Sequence, residues 1–197
     1  MNFQQARQEL KNHNLEVFTS QDFINLFNIA SDVSAVKLSR YKKLGYLISP
    51  KKGVFYLKGE VDNKFRIANR IYNPSYISLD SALSKYNIIP ETVYTVTSVT
   101  TKATREFDDE QTTYRYYKIK TQAYAGYVLV DDAFVADPEK SVVDYLYFVA
   151  LGKRVGNDRM DLTKLDRQKI FDYANLFDDR RLNKLVNIAF SKQNVGF

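Results

Sequence analysis

Cysteine and tryptophan are absent from this 197-residue chain, and histidine occurs once, at His13. Without cysteine there can be no disulfide, no thiolate metal site and no thiol nucleophile, and a single imidazole leaves little of the chemistry histidine usually carries. Glycine is scarce, with seven residues, and none of them builds a glycine-rich loop able to cradle a phosphate. Apolar runs stop far short of the roughly 20 residues that a membrane span requires. The opening MNFQQARQELKNHN also lacks the apolar stretch of a signal peptide, so the expectation is a cytoplasmic protein with no membrane partner. Several enzyme classes fall away before any motif is considered.

What remains is a composition 45% hydrophobic and 26% charged, that of a globular chain forming one domain or a small domain joined to a medium one. The formal net charge is +6, and its distribution is more telling than its size. Residues 1–70 hold twelve of the 29 Lys and Arg against six of the 23 Asp and Glu, so the remainder holds seventeen of each. All the excess positive charge therefore lies in the first third, which is suited to meet a polyanion, while the neutral part has another task.

Periodicity gives the elements. Phe3, Ala6 and Leu10 recur at helical spacing over residues 2–12. Thr19 is placed to cap a second helix with Asp22 three residues on, and Phe23, Ile24 and Phe27 form its apolar side. Ser31, read as a cap, opens a third helix running to Leu44 and stopped by Gly45. Two short helices meeting across Asn28-Ile29-Ala30 have helix-turn-helix spacing. The runs Tyr46–Ser49 and Val54–Leu57 around Pro50-Lys51-Lys52-Gly53 read as a hairpin, and a hairpin in that place is a wing.

Further along, Lys58–Asn73 reads as one more helix and residues 80–86 as another, capped by Ser78 or Asp80. Thr92–Thr104 and Thr112–Lys120 are dense in Val, Thr and Tyr and are expected to pair antiparallel around the acidic loop Asp108-Asp109-Glu110. Ala125–Val130 and Ala133–Val135 suggest a second hairpin turning at Asp131-Asp132. Asp137-Pro138 opens a strongly apolar helix, and the tail from Leu162 to Lys192 reads as two helices broken near Asp178-Asp179. The fold class expected is α+β: a winged helix-turn-helix over 1–70, then a mixed domain over 71–197 with a small antiparallel sheet and C-terminal helices.

On a helical wheel of the third helix, Leu38, Tyr41 and Gly45 gather on one side, while Lys37, Arg40 and Lys43 lie towards the other. The apolar side can pack inward and the basic side can enter a major groove, with Arg40 suited to two hydrogen bonds to guanine. Lys42 sits nearer the core edge and suits the DNA backbone, and Lys51 and Lys52 at the wing tip suit phosphates or the minor groove. A charged helix face is by itself usually a solvated face. Here three features coincide: capped helices in the right order, basic residues on the second of the two only, and a basic wing directly after it.

Other candidates carry less. Tyr114, Tyr116 and Tyr117 beside Arg115 and Lys118 resemble a stacking platform for single strands, yet Tyr is an ordinary strand residue and this half is neutral. The carboxylates of Asp108–Glu110 and Asp131-Asp132 are the only acidic clusters a metal-dependent nuclease could use, and both fall in apparent turns, where Asp is favoured for local hydrogen bonds. His13 lies in a polar turn. No catalytic residue, metal site or cofactor is expected, and the chain does not read as an enzyme.

Three blocks add a resemblance: Tyr76-Ile77-Ser78-Leu79-Asp80-Ser81-Ala82-Leu83, Pro90-Glu91-Thr92-Val93-Tyr94-Thr95-Val96-Thr97, and Ala136-Asp137-Pro138-Glu139-Lys140-Ser141-Val142-Val143-Asp144. In that order, behind a short winged helix, they resemble the AbiEi family of antitoxins from bacterial type IV toxin-antitoxin (abortive infection) systems, which act in phage defence. The match covers most of residues 15–150; the tail after Lys153 carries no matched motif. The resemblance implies an N-terminal winged helix that represses its own operon by binding its promoter as double-stranded DNA, and a second domain that provides antitoxicity. It also implies a nucleotidyltransferase-like toxin as a functional rather than a stable partner. Repressors of this kind often bind paired sites, which would place a homo-oligomer on the DNA. Residue by residue, the implication reaches only the winged-helix face; it assigns no antitoxic residue. The alternative is an interaction module whose winged helix binds a protein, with the toxin contacted directly.

Overall fold

The computed structural model describes residues 2–193. The chain begins as α1 (Phe3–Asn12), β1 (Val17–Thr19), α2 (Ser20–Phe27), α3 (Ser31–Lys43), β2 (Leu47–Lys51) and β3 (Val54–Leu57). The strands form a three-stranded antiparallel sheet in the order β1-β3-β2. Thr19 caps α2 as expected: its hydroxyl accepts from the Asp22 N–H at 3.1 Å, and the Asp22 carboxylate accepts from the Thr19 N–H at 2.7 Å. The cap expected at Ser31 is not there. Ala30 occupies the cap position with no side-chain hydrogen bond, and Ser31 is already helical.

After a turn, α4 (Lys64–Ile71) leads into β4 (Ser75–Ile77), α5 (Leu79–Lys85), β5 (Val96–Thr100), β6 (Arg105–Asp108), β7 (Thr113–Lys118), β8 (Tyr127–Val130) and β9 (Ala133–Ala136). Then come α6 (Pro138–Ala150), α7 (Arg167–Asn175) and α8 (Arg180–Gln193). The class is α+β. The six later strands form one sheet ordered β6-β7-β5-β4-β9-β8. Its β6–β7, β4–β5 and β8–β9 pairings are antiparallel, and its β5–β7 and β4–β9 pairings parallel. The two runs expected to pair antiparallel do lie side by side, but in parallel. The hairpin partner of β7 is β6, closed by Asp109, whose carboxylate accepts from the N–H groups of Gln111 and Thr112, each at 2.8 Å. The β8–β9 hairpin turns where expected, with Asp131 and Asp132 both at positive φ (48° and 61°), the backbone of a tight two-residue turn.

The middle of the larger sheet is buried on both faces, while its edge strands β6 and β8 are largely exposed. On β7 the Tyr116 hydroxyl donates to the Ala68 carbonyl of α4 at 2.6 Å, while the next side chain, Tyr117, packs its ring on Phe148 of α6 with centroids 5.3 Å apart. Helix α4 thus lies on one face, and α6, with α5, α7 and α8 around it, on the other. The three-stranded sheet is also two-faced. Phe18, Leu47 and Leu57 pack with Ala6, Leu10, Phe23, Leu38 and Tyr41 in a small core. Val17, Ile48, Val54 and Tyr56 instead join the large core, together with Ile67 and Ile71 of α4. Packing of this kind, rather than a free linker, joins the first 70 residues to the rest. Among the described residues no helix is long and apolar enough to cross a membrane.

Candidate nucleic-acid interface

Three residues, Asn28 to Ala30, connect α2 to α3, and Asn28 accommodates the reversal in the left-handed region at φ 46°. Helix α3 buries Ser34, Leu38 and Tyr41, with Tyr41 packed edge-on against Phe3 at 5.1 Å. The opposite side, carrying Val36, Arg40 and Lys43, is exposed. Gly45 then takes φ 74°, a conformation that strains any residue with a Cβ, and sends the chain into β2. At the far end of the hairpin Gly53 does the same at φ 83°, and its carbonyl accepts from the Ser20 N–H at 2.9 Å, which pins the turn to the start of α2.

The twelve cations of the first 70 residues divide by partner. Arg7 and Lys11 both hold Glu60, Arg66 holds Glu16 at 3.3 Å, Arg70 holds Asp22, and Lys58 holds Glu110 at 3.3 Å. By contrast Lys37, Arg40, Lys42, Lys43 and Lys52, and Lys64 at the start of α4, make no ion pair and no side-chain hydrogen bond among the described residues. The acids of this segment lie elsewhere, apart from Asp32 in the first turn of α3, where the positive end of the helix favours it. Four of the six free cations spread across the outer arc of α3, with Lys37 and Lys42 at its flanks; Lys52 occupies the hairpin turn, and Lys64 alone lies away from them, at the start of α4.

Lys51 does not belong with them. The β2–β3 register slips between Ile48 and Lys51, a bulge that brings Lys51 opposite Val54 instead of Gly53. Lys51 therefore shares the inner side with Val54 and Tyr56, where its ammonium donates to the Ile71 carbonyl at 2.9 Å. It also lies over the rings of Tyr72 and Phe107, 5.3 and 5.4 Å from their centroids. Strand alternation alone points this side chain the wrong way.

The remaining candidates resolve into structural parts. Tyr114 and Tyr116 are buried, so their faces are closed to a stacking base. In the acidic loop, the Asp109 carboxylate accepts from the hydroxyls of Tyr56 (2.9 Å) and Tyr114 (3.1 Å), clamping β3 to β7, and Glu110 adds the pair with Lys58. Burial, with the Asp109 carboxylate beside them, pushes both phenols above their ordinary pKa. Asp131 pairs with Lys85 at 3.7 Å. Among the described residues no three His, Asp or Glu side chains are grouped to hold a metal. The exposed His13 ring contacts the Glu9 carbonyl at 2.9 Å.

One cluster has no counterpart among the residues assigned from sequence. Asp144 of α6 is completely buried and paired with the equally buried Lys140 one turn earlier. It also accepts from the hydroxyls of Ser78 (2.7 Å) and Tyr76 (3.0 Å). Burial drives the Asp144 carboxyl up and the Lys140 ammonium down; their mutual attraction and the two hydroxyls oppose this. Thr97 of the second block joins the first, donating to the Ser78 carbonyl at 2.7 Å and accepting from the Ser81 N–H at 3.1 Å. All three sequence blocks thus meet in one buried polar network. The signal in the sequence was two opposite charges at helical i, i+4 spacing inside an otherwise apolar helix. No protein-family model matches the chain, and no curated protein matches it.

Proposed function

We propose that the chain is a cytoplasmic DNA-binding transcriptional repressor whose residues 1–70 form a winged helix-turn-helix, with α3 as recognition helix and the β2–β3 hairpin as wing. The observation that carries this reading is the segregation of unpartnered cations. Lys37, Arg40, Lys42 and Lys43 on α3 and Lys52 on the turn are left free, while the nearby acids neutralise cations on other sides. A duplex presents a dense row of phosphates, and free cations on one protruding helix and an adjacent hairpin fit a groove and its flanking backbone. The order of helices and strands, and the strand order β1-β3-β2, support the same reading.

Residues 71–197 are read, on the three sequence blocks, as the antitoxic part of a type IV toxin-antitoxin pair. This part counters a nucleotidyltransferase-like toxin encoded beside it, and the DNA-binding part represses their operon. The chain acts by binding, with no catalytic step. In a gel shift on the promoter upstream of the chain's own gene, changing Arg40 and Lys43 to Ala together should weaken binding by about 1–3 kcal/mol for each base edge that is no longer held. Wild-type affinity in that variant would remove α3 from the interface. Co-expression with the neighbouring gene tests the second half: rescue of growth without a stable complex is expected. Co-purification of the two proteins would favour the direct-binding module instead.

A further inference from the structure

The outer face of α3 is not uniformly basic. Its first two turns expose Val33 (42%) and Val36 (70%), with Ala35 beside them, whereas Arg40, Lys42 and Lys43 all fall in the last turn. Nothing in the fold accounts for these valines. They belong to neither core cluster, and a β-branched residue is a weaker helix former than the Ala, Lys or Glu that an exposed face would otherwise carry. Around Val36 lies a shallow depression lined by Ala35, Ser39, Arg40, Lys43 and Leu44.

Resting on the DNA-binding reading above, we propose that Val33 and Val36 read thymine, by packing on the C5-methyl groups that thymines present in the major groove. The unpartnered cations around these valines select a polyanion as the occupant of this face, and the methyl of thymine is the one apolar group that base edges offer there. Asp32, the only acid on α3, lies in its first turn, so that turn sits against base edges rather than phosphates, while Arg40 reaches a base one turn further on and Lys42 meets the backbone. Residues near the start of a recognition helix are those that reach the bases. Val36 and Arg40 are one turn apart, about 6 Å along the helix axis. At about 3.4 Å per base step, the thymine under Val36 then lies about two base pairs from the base that Arg40 reads.

The test uses the full-length protein and a pool of duplexes with a randomised core. The tightest duplex is resynthesised with deoxyuridine in place of each thymidine in turn. Loss of the contacted methyl should weaken wild-type binding about fourfold at one or two positions, the effect of exposing about one methylene of apolar surface. Val36→Ala should bind the thymidine and deoxyuridine duplexes alike at one of these positions, the one under Val36; the change lies on an exposed helical face, and an unchanged thermal melt verifies the fold. Equal wild-type affinity for both duplexes at every position overturns the proposal. So does a Val36→Ala loss that is the same on both duplexes. In either case a persisting loss in the Arg40→Ala, Lys43→Ala variant leaves the DNA-binding reading standing. Retention of no duplex above the random pool overturns both.

Discussion

Around α3, charge is left unused, whereas around α6 it is consumed. In the first region Glu16, Asp22 and Glu60 hold four of the cations, and Lys37, Arg40, Lys42, Lys43 and Lys52 are left without a partner. In the second, Lys140 and Asp144 are buried together, Lys169 bridges Asp137 (3.1 Å) and Glu139 (2.9 Å), and Arg154 holds Asp80. An exposed cation without a partner contributes little to folding and stays available to a ligand. A buried pair carries a desolvation cost that only its own partners offset, so it is committed to the fold. Net charge alone conceals this contrast; partner geometry reveals it.

The comparison is broken most severely at Asp144. Replacing it with Ala strands the Lys140 ammonium between Tyr76 and Phe177, whose rings lie 5.7 and 4.7 Å from it. Denaturant unfolding should register a loss of about 3–5 kcal/mol, and the joint change of Lys140→Met with Asp144→Leu should recover most of it. A loss under about 1 kcal/mol would mean that this pair is no more committed than a surface one.

A smaller effect concerns the pairs that support α3 from behind. Burial tends to raise the Asp22 carboxyl, but its hydrogen bonds with Thr19 and its pairing with Arg70 outweigh that and hold it below the ordinary 3.8. A carboxylate whose folded pKa is depressed stabilises the fold above its unfolded value and loses that contribution as pH falls through the folded one. Stability should therefore decline as pH falls through and below the ordinary carboxylate range, with a shallower slope in Asp22→Asn. An unchanged slope in that variant would show that Asp22 is not among the committed charges.

The smallest expected change separates two neighbours in the same hairpin. Lys52→Ala should reduce the salt dependence of duplex binding by about 0.9 in the logarithmic slope if it meets one phosphate. Its stability should stay within about 0.5 kcal/mol of wild type. Lys51→Ala should do the reverse: it removes the hydrogen bond to the Ile71 carbonyl and the packing on Tyr72 and Phe107, lowering stability while sparing the slope. Identical behaviour of the two lysines would contradict the bulge-based division between them.

Much of the first region was legible in the sequence because its signals are local. Thr19 and Asp22 announce a helix start within four residues, and the spacing of Leu38 and Tyr41 sets the inner side of α3. Lys51 was not legible, since a one-residue bulge in β2 reverses the alternation on which a strand reading depends. The parallel pairing of β5 and β7 was hidden for another reason. Val96–Thr100 is buried on both faces, so it carries no alternation to indicate its neighbour, and parallel strands require no short turn between them. The Lys140–Asp144 pair was visible as two residues but not as a buried unit, because helical spacing alone does not distinguish a core pair from a solvated one.

The most direct measurement of the central claim is the salt dependence of affinity for a promoter duplex. Wild type would be compared with a variant carrying Ala at Lys37, Arg40, Lys42, Lys43 and Lys52. A steep wild-type slope is predicted, falling by about 0.9 for every cation that meets a phosphate, with the thermal melt of the variant unchanged. A slope that is the same in both proteins would contradict the claim that these five unpartnered cations form the DNA face.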